Sequence, residues 1–229
     1  ALGLTVIFTV SSVAASLVIG FGLALLFNQR LPGLAIARTL ILIPMLVTPI
    51  AVGITWRIMY NPDLGVINHL IGLLGISSQG WLASMNQSLL SVIIVDVWQW
   101  TPFMFLILFA GVRSLPRSPF ESASIDGASR LQTLFLITLP MMRPVIVLAI
   151  LLRAVDSVRT FDQIFMMTRG GPNMTTDLIS LYLQRVNFKF FDIGYGASLS
   201  WVFLILLMAA VIAFIRYSGF LRSAAEKEV

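Results

Sequence analysis

LTVIFTVSSVAASLVIGFGLALLF, residues Leu4 to Phe27, decides the fold. The stretch carries no charge, and the uncharged run extends from Ala1 to Gln29. About 20 apolar residues are enough for a helix to cross a bilayer. A signal peptide needs a basic leading region and a shorter apolar core, and this stretch has neither, so it reads as a membrane span. The composition of the whole chain agrees. Of 229 residues, 58% are hydrophobic and 11% are charged, against about 45–50% and about 25% in soluble domains. A soluble domain of this size could not cover its surface with so few charges. An ordinary cytosolic enzyme and a disordered chain are both excluded. There is no cysteine, which removes disulfide scaffolds, thiolate metal sites and cysteine nucleophiles. His69 is the single histidine, so no metal site is expected. The net charge of +5 is read as membrane topology and not as nucleic-acid binding.

Working outward, four more segments are long enough to span: Thr39 to Met59, Leu89 to Val112, Pro144 to Met167 and Ile193 to Ile215. The second contains Pro44 and Pro49, the third contains Asp96, and the fourth holds several charges. With no repeat and no Gly/Ser/Pro-rich linker, residues 1–229 are expected to form one transmembrane domain. Five spans place the termini on opposite sides. Arg30, Arg38, Arg113, Arg117, Arg130, Arg143, Arg216, Arg222 and Lys227 fall on one side; Arg57, Arg169, Arg185 and Lys189 fall on the other. Basic residues concentrate on the cytoplasmic side, so the C-terminus is expected inside and Ala1 outside. An external start with no signal sequence inserts awkwardly, and at least one earlier span is expected upstream. In the outer segment, Val66 to Leu74 is apolar but too short to span, so a short interfacial or buried helix is expected. Trp56, Tyr60 and Trp81 flank it as expected interface anchors, and His69 is expected to be a surface or capping group.

The largest inside loop, 113–143, carries the most specific pattern. Ser118 followed by Pro119 and Glu121 has the spacing of a capped helix start. Asp126-Gly127 reads as a turn. A second helix is expected to run to Leu139 and stop at Pro140. The result is a cytoplasmic helix–turn–helix bracket, whose first helix offers Ser122, Ala123 and Ala128 around a carboxylate and suits insertion into a partner's groove.

Glu121-x-Ala123-x-x-x-Gly127, followed after nine residues by Ile137-x-Leu139-Pro140, resembles the EAA loop of ABC importer permeases, the element that docks on the ATPase subunit. Ser122 stands where that family usually has alanine. The resemblance covers nearly the whole chain. Arg57-x-x-Tyr60-Asn61-Pro62-Asp63-x-Gly65, Asp96-Val97-Trp98-x-x-Thr101-Pro102-Phe103, Phe161-Asp162 with Thr168-x-Gly170-Gly171-Pro172, and Phe191-Asp192-x-Gly194-Tyr195-Gly196-Ala197 are similar to maltose-type carbohydrate permeases, most of all the first of their two permease subunits. That family has a six-span core whose first span is missing here. The resemblance implies an all-α polytopic protein of a bacterial or archaeal plasma membrane. Its implied partners are a second permease subunit, two ATPase subunits that bind the ATP and Mg, and an external solute-binding protein. It implies a carbohydrate, polyol or sugar-phosphate solute and no chemistry in this chain. The coupling residues it implies are Glu121, Ser122, Ala123, Asp126, Gly127, Ala128, Ile137, Leu139 and Pro140. It also places Gly170-Gly171-Pro172 beside the docked binding protein.

Charges inside the membrane mark a second locus. Arg153, Asp156, Arg159 and Asp162 alternate in sign at three-residue spacing, so neighbours can pair along a helix, and Asp156 with Arg159 is the expected pair. A charge at a helix centre costs about 2.5–3.5 kcal/mol on insertion scales, so half of this span should face protein or water. Asp156, Arg159, Phe161 and Asp162, together with Asp96, Trp98, Gln99 and Trp100, could line a solute path, since carboxylate, amide and aromatic faces suit a sugar. Inter-helical salt bridges, including ties to a second permease subunit, account for the charges equally well, as does a structural hydrogen bond from Asp96. Arg185 and Lys189 either meet the binding protein or form a solvated face. A stand-alone secondary transporter using the fourth-span charges as an ion relay is the rival reading. It calls for an inverted repeat, and none is visible.

Overall fold

The computed structural model of the chain describes residues 1–29 and 33–218, with Ala35 described for its backbone alone. All regular elements among the described residues are helical. Four rods are long and apolar enough to cross a membrane: α1 (Leu2–Phe27), α5 (Ser88–Ser114), the continuous stretch Arg130–Val158, and α11 (Ile193–Ser218). At 1.5 Å per residue, each is roughly 39–44 Å long. Arg30, Arg222 and Lys227, which enter the topology count, lie outside the described residues.

The expected second span is broken. It is built as α2 (Leu34–Leu46) and α3 (Pro49–Met59), and the stretch Ile36–Leu46 meets α3 at 96°. Pro49 sits in the first turn of α3. Its ring pushes the preceding residue out of the helical region, and Thr48 is extended at φ −62°, ψ 141°. Val47 is extended as well. Hydropathy runs on unbroken across the joint, so a count of apolar residues does not see it.

The fourth span is also shifted. It is assembled from α7 (Arg130–Thr133), a π-helical turn (Leu134–Thr138) and α8 (Leu139–Val158). It therefore ends well short of Met167, and Arg159–Phe161 separate it from α9 (Asp162–Met167). Ending at Val158 leaves Arg153 and Asp156 inside the rod and puts Arg159 and Asp162 at helix ends, which lowers the cost of insertion. Pro140 does not stop the second loop helix as expected. It falls in the first turn of α8, directly after the π turn. That turn has already displaced the i→i−4 pairing with which a proline ring collides.

The bracket's capping also differs from the expectation. Arg117, not Ser118, is the N-cap of α6 (Ser118–Ile125), and no side chain caps it. The capping box is at the next helix, where the Ser129 hydroxyl accepts from the Gln132 amide at 3.3 Å and the Ser129 amide donates to Gln132 Oε1 at 2.7 Å.

α1, α5 and α8 form the core of the bundle. A Cβ on Gly20 of α1 would stand 3.0 Å from Met104 Cβ, and one on Gly111 of α5 would stand 2.7 Å from Val145. Both helix pairs approach as closely as small residues permit. One apolar cluster joins Phe27, Phe105, Leu108, Phe109 and Met142; a second joins Phe8, Val52, Tyr60, Val92, Ile164 and Leu178. The second includes α3 and α9, which meet where a Cβ on Gly53 would lie 2.7 Å from the Gln163 carbonyl. The expected short outer helix is α4 (Val66–Leu73), with His69 exposed. Its flanking aromatics contact one another. Trp56, Tyr60 and Trp81 stack in a chain with ring centroids 5.4 Å apart. After α10 (Ile179–Gln184) and a second π turn (Arg185–Lys189), α11 packs along α8 with only Gly196 buried.

Candidate functional site

A polar layer joins the middle of α1, the first half of α5 and the C-terminal end of α8. Ser12 and Ser16 of α1, Asp96 and Gln99 of α5, and Arg153 and Ser157 of α8 have no exposed surface. Arg153 is ion-paired to Asp96 through Nη2, and the Ser12 hydroxyl donates to the same carboxylate oxygen. Arg153 Nη2 also lies 3.5 Å from Ser12 Oγ, and Nη1 reaches Asp156 Oδ2 at 3.3 Å. The guanidinium carbon is 5.5 Å from the centre of the Trp100 ring. One cation thus ties three helices and is shared by two carboxylates. A buried charge is tolerated only with such compensation.

The layer holds more polar capacity than the protein uses. Asp96 Oδ1, Arg153 Nε, Gln99 Oε1, Ser16 Oγ and Ser157 Oγ are buried without a hydrogen-bond partner. The Gln99 amide is committed, donating to the Val47 carbonyl at 3.0 Å. It thereby satisfies a backbone group freed by the break between α2 and α3.

The structure brings together Asp96, Gln99, Trp100 and Asp156 of the expected path residues. It separates the others. Trp98 is on the far face of α5, 42% exposed and edge-on to Trp56 at 5.3 Å. Arg159 and Asp162 are exposed at the α8–α9 junction, and Phe161 stacks on Phe165 at 5.2 Å. The expected Asp156–Arg159 pair is not formed: Asp156 pairs backward with Arg153, and Arg159 makes no ion pair among the described residues. Asp156 Oδ2 is instead held by Arg153 Nη1, and Arg159 is the exposed C-cap of α8, its amide donating to the Asp156 carbonyl at 3.1 Å. Arg185 is tied to Asp177 at 2.6 Å, while Lys189 is exposed. The sequence marks Arg153 as a membrane charge but does not single out Ser12, Ser16 or Ser157 as its neighbours. The i, i+4 spacing of Ser12 and Ser16 in an uncharged span was the available signal.

The second locus is the bracket. Ala128 N–H donates to the Ala123 carbonyl at 2.9 Å, and Gly127 N–H to that of Ser124 at 3.3 Å. With Gly127 at φ +73°, this is a Schellman stop. The Ser129 capping box follows at once, so one rigid corner joins α6 to α7. Ala123 is buried, whereas Glu121, Ser122, Asp126 and Gly127 are exposed. Ile125 at the corner is 87% exposed, an apolar tip raised on a polar loop. Ala128, Ile137 and Leu139 are half-buried, and Pro140 is exposed.

Residues 4–225 match the family described as the binding-protein-dependent transport system inner membrane component. The chain is 42% identical over 209 residues to a protein of Sinorhizobium fredii named "Probable ABC transporter permease protein y4oQ", covering 91% of this chain and 67% of that one. It is 37% identical to the trehalose/maltose transport system permease protein MalF of Thermococcus litoralis, with 95% and 74% covered. It is 38% identical to the trehalose transport system permease protein SugA of Mycobacterium tuberculosis, with 94% and 67% covered. The fold is similar, at a TM-score of 0.86 and 21% identity, to a chain of a bacterial ABC transporter involved in import of the acidic polysaccharide alginate, covering 95% of this chain and 77% of that one. The broken second span, the buried polar layer and the rigid bracket are therefore features of a multi-pass chain that belongs to the inner-membrane permease components of binding-protein-dependent ABC transporters.

Proposed function

We propose that this chain translocates a carbohydrate or related solute as one of two permease subunits of an ATP-driven importer. An external protein would deliver the solute, and two partner ATPases would bind the ATP and Mg. The names of its relatives support a sugar class, and family membership weighs against a stand-alone secondary transporter. The polar layer supplies the path: its unpaired oxygens and nitrogens, with the Trp100 face, offer what a polyhydroxylated solute needs. Solute entry would draw on groups now held by the Asp96–Arg153 pair.

The observation that carries the coupling role is the α6 corner. A short helix, stopped by the Gly127 turn and followed at once by the capped start of α7, presents an exposed apolar tip, Ile125, beside Glu121 and Asp126. A rigid lever of this kind can transmit ATPase motion to α5 and the Arg130–Val158 rod, to which it is directly joined. Gly127→Pro removes both the left-handed conformation and the Ser124-directed amide. The variant should insert normally, lose stable association with the ATPase and lose uptake. Wild-type co-purification and uptake would reject the docking assignment.

A further inference from the structure

A cleft of about 840 Å³ opens behind the bracket, between the ends of α1 and α5, the start of α2, and α6. Arg38, Arg113 and Arg117 line it, and Glu121 is the one carboxylate among its described lining residues. None of the three arginines forms an ion pair among the described residues. Arg38 and Arg113 lie over the same Phe109 ring, at 4.5 and 5.6 Å from its centroid. The two cations are therefore within about 10 Å of each other, the most those distances allow. Arg38 Nε is buried with no hydrogen-bond partner. With neither cation ion-paired among the described residues, the two repel one another, and an anion bound by both would relieve the repulsion.

The cleft is separate from the polar layer. Asp96 and Arg113 are both on α5, about 25 Å apart along the helix axis. It lies at the end of the bundle where α1 leaves its apolar span, and Leu25 and Leu115 form an apolar part of its wall. A site lined by both guanidinium groups and aliphatic side chains, at a span end, matches an amphipathic anion. Basic pockets between transmembrane helices take lipid headgroups for this reason.

We propose that this cleft binds the phosphodiester headgroup of an anionic phospholipid, with Arg38 and Arg113 on the phosphate and Arg117 at the mouth. Bound there, the lipid braces the root of α6 against α1 and α5. The proposal rests on the membrane placement of the chain and not on the coupling role, so lipid binding and transport can fail independently.

The test uses the purified transporter containing the full-length chain, extracted from vesicles of phosphatidylcholine with and without phosphatidylglycerol. Native mass spectrometry counts the phosphatidylglycerol retained. The wild type should keep it in preference to phosphatidylcholine. R38Q/R113Q should weaken retention by about tenfold or more, while R216Q, a charge outside the cleft, should not. Photo-activatable phosphatidylglycerol should cross-link the wild type at Leu25 or Leu115, which reads the site even if the double variant is unstable. Equal retention by wild type and R38Q/R113Q, or cross-links confined to other surfaces, would overturn the proposal. Full displacement by millimolar inorganic phosphate would show a site for soluble phosphate and would overturn the lipid assignment.

Discussion

Arg153 decides how the membrane interior is held together. It is fully buried, bonded to Asp96 across a helix interface and to Asp156 along its own helix. Removing one member of a buried pair leaves an uncompensated charge, at about 3–5 kcal/mol. Asp96→Asn and Arg153→Gln should each destabilise the purified transporter on that scale. The double variant should be destabilised by less than their sum, since no lone charge remains. Additive losses in thermal unfolding would mean that the pair does not act as a unit. Asp156 is 40% exposed in its side chain, and Arg153 keeps Asp96 when it is lost. Asp156→Asn should therefore cost only about 0–1 kcal/mol. If uptake falls in that variant while unfolding is unchanged, Asp156 meets the solute; if stability falls by several kcal/mol, its role is structural. The sequence displayed the alternating charges but not this hierarchy. Spacing identifies a partner three residues away and is silent about Asp96, 57 residues distant.

The elements were legible where hydropathy and length settle them, and misread where backbone chemistry overrides hydropathy. The sequence places spans at Leu4–Phe27, Leu89–Val112 and Ile193–Ile215, within a few residues of α1, α5 and α11. It misses the break at Thr48, although the proline that causes it was in plain view. It reads Pro140 as a stop because nothing in the composition announces the π turn before it. It puts the capping box at Ser118-x-x-Glu121, while Ser129-x-x-Gln132 has the same spacing and follows a glycine stop. That second box gives an element-scale expectation. Ser129→Ala removes the hydroxyl that caps α7 and should weaken the corner by about 0.5–2 kcal/mol. The bracket would survive but lose stiffness. More ATP should then be hydrolysed per solute imported, with ATPase association retained. An unchanged ratio of hydrolysis to uptake would show that capping at Ser129 is irrelevant to coupling.

At the scale of the whole molecule, the distribution of basic residues favours one orientation. Arg38, Arg113, Arg117, Arg130, Arg143 and Arg216 lie at one end of the bundle or on its loops, and Arg57, Arg169, Arg185 and Lys189 lie toward the other. The structure changes span two from one helix to a bent pair and moves span four, yet neither change transfers a basic residue between sides. α2 and α3 still carry the chain from the Arg38 end to the Arg57 end, and the rod still runs from Arg130 to the outer junction. By the positive-inside rule the bracket and the C-terminus are expected on the cytoplasmic side, and α4 with the Trp56–Tyr60–Trp81 stack outside. The chain has no cysteine, so single introduced thiols report without background. Ser77 suits the outer position: it is exposed, while the neighbouring Ser78 hydroxyl is engaged with the Pro62 carbonyl and the Asn68 amide. Ser223, outside the described residues, suits the inner one. In intact cells an impermeant maleimide should label S77C and leave S223C unlabelled until the membrane is opened. Labelling of S223C from outside, with S77C protected, would invert the molecule. It would also place the α6 corner beyond the reach of any cytoplasmic ATPase.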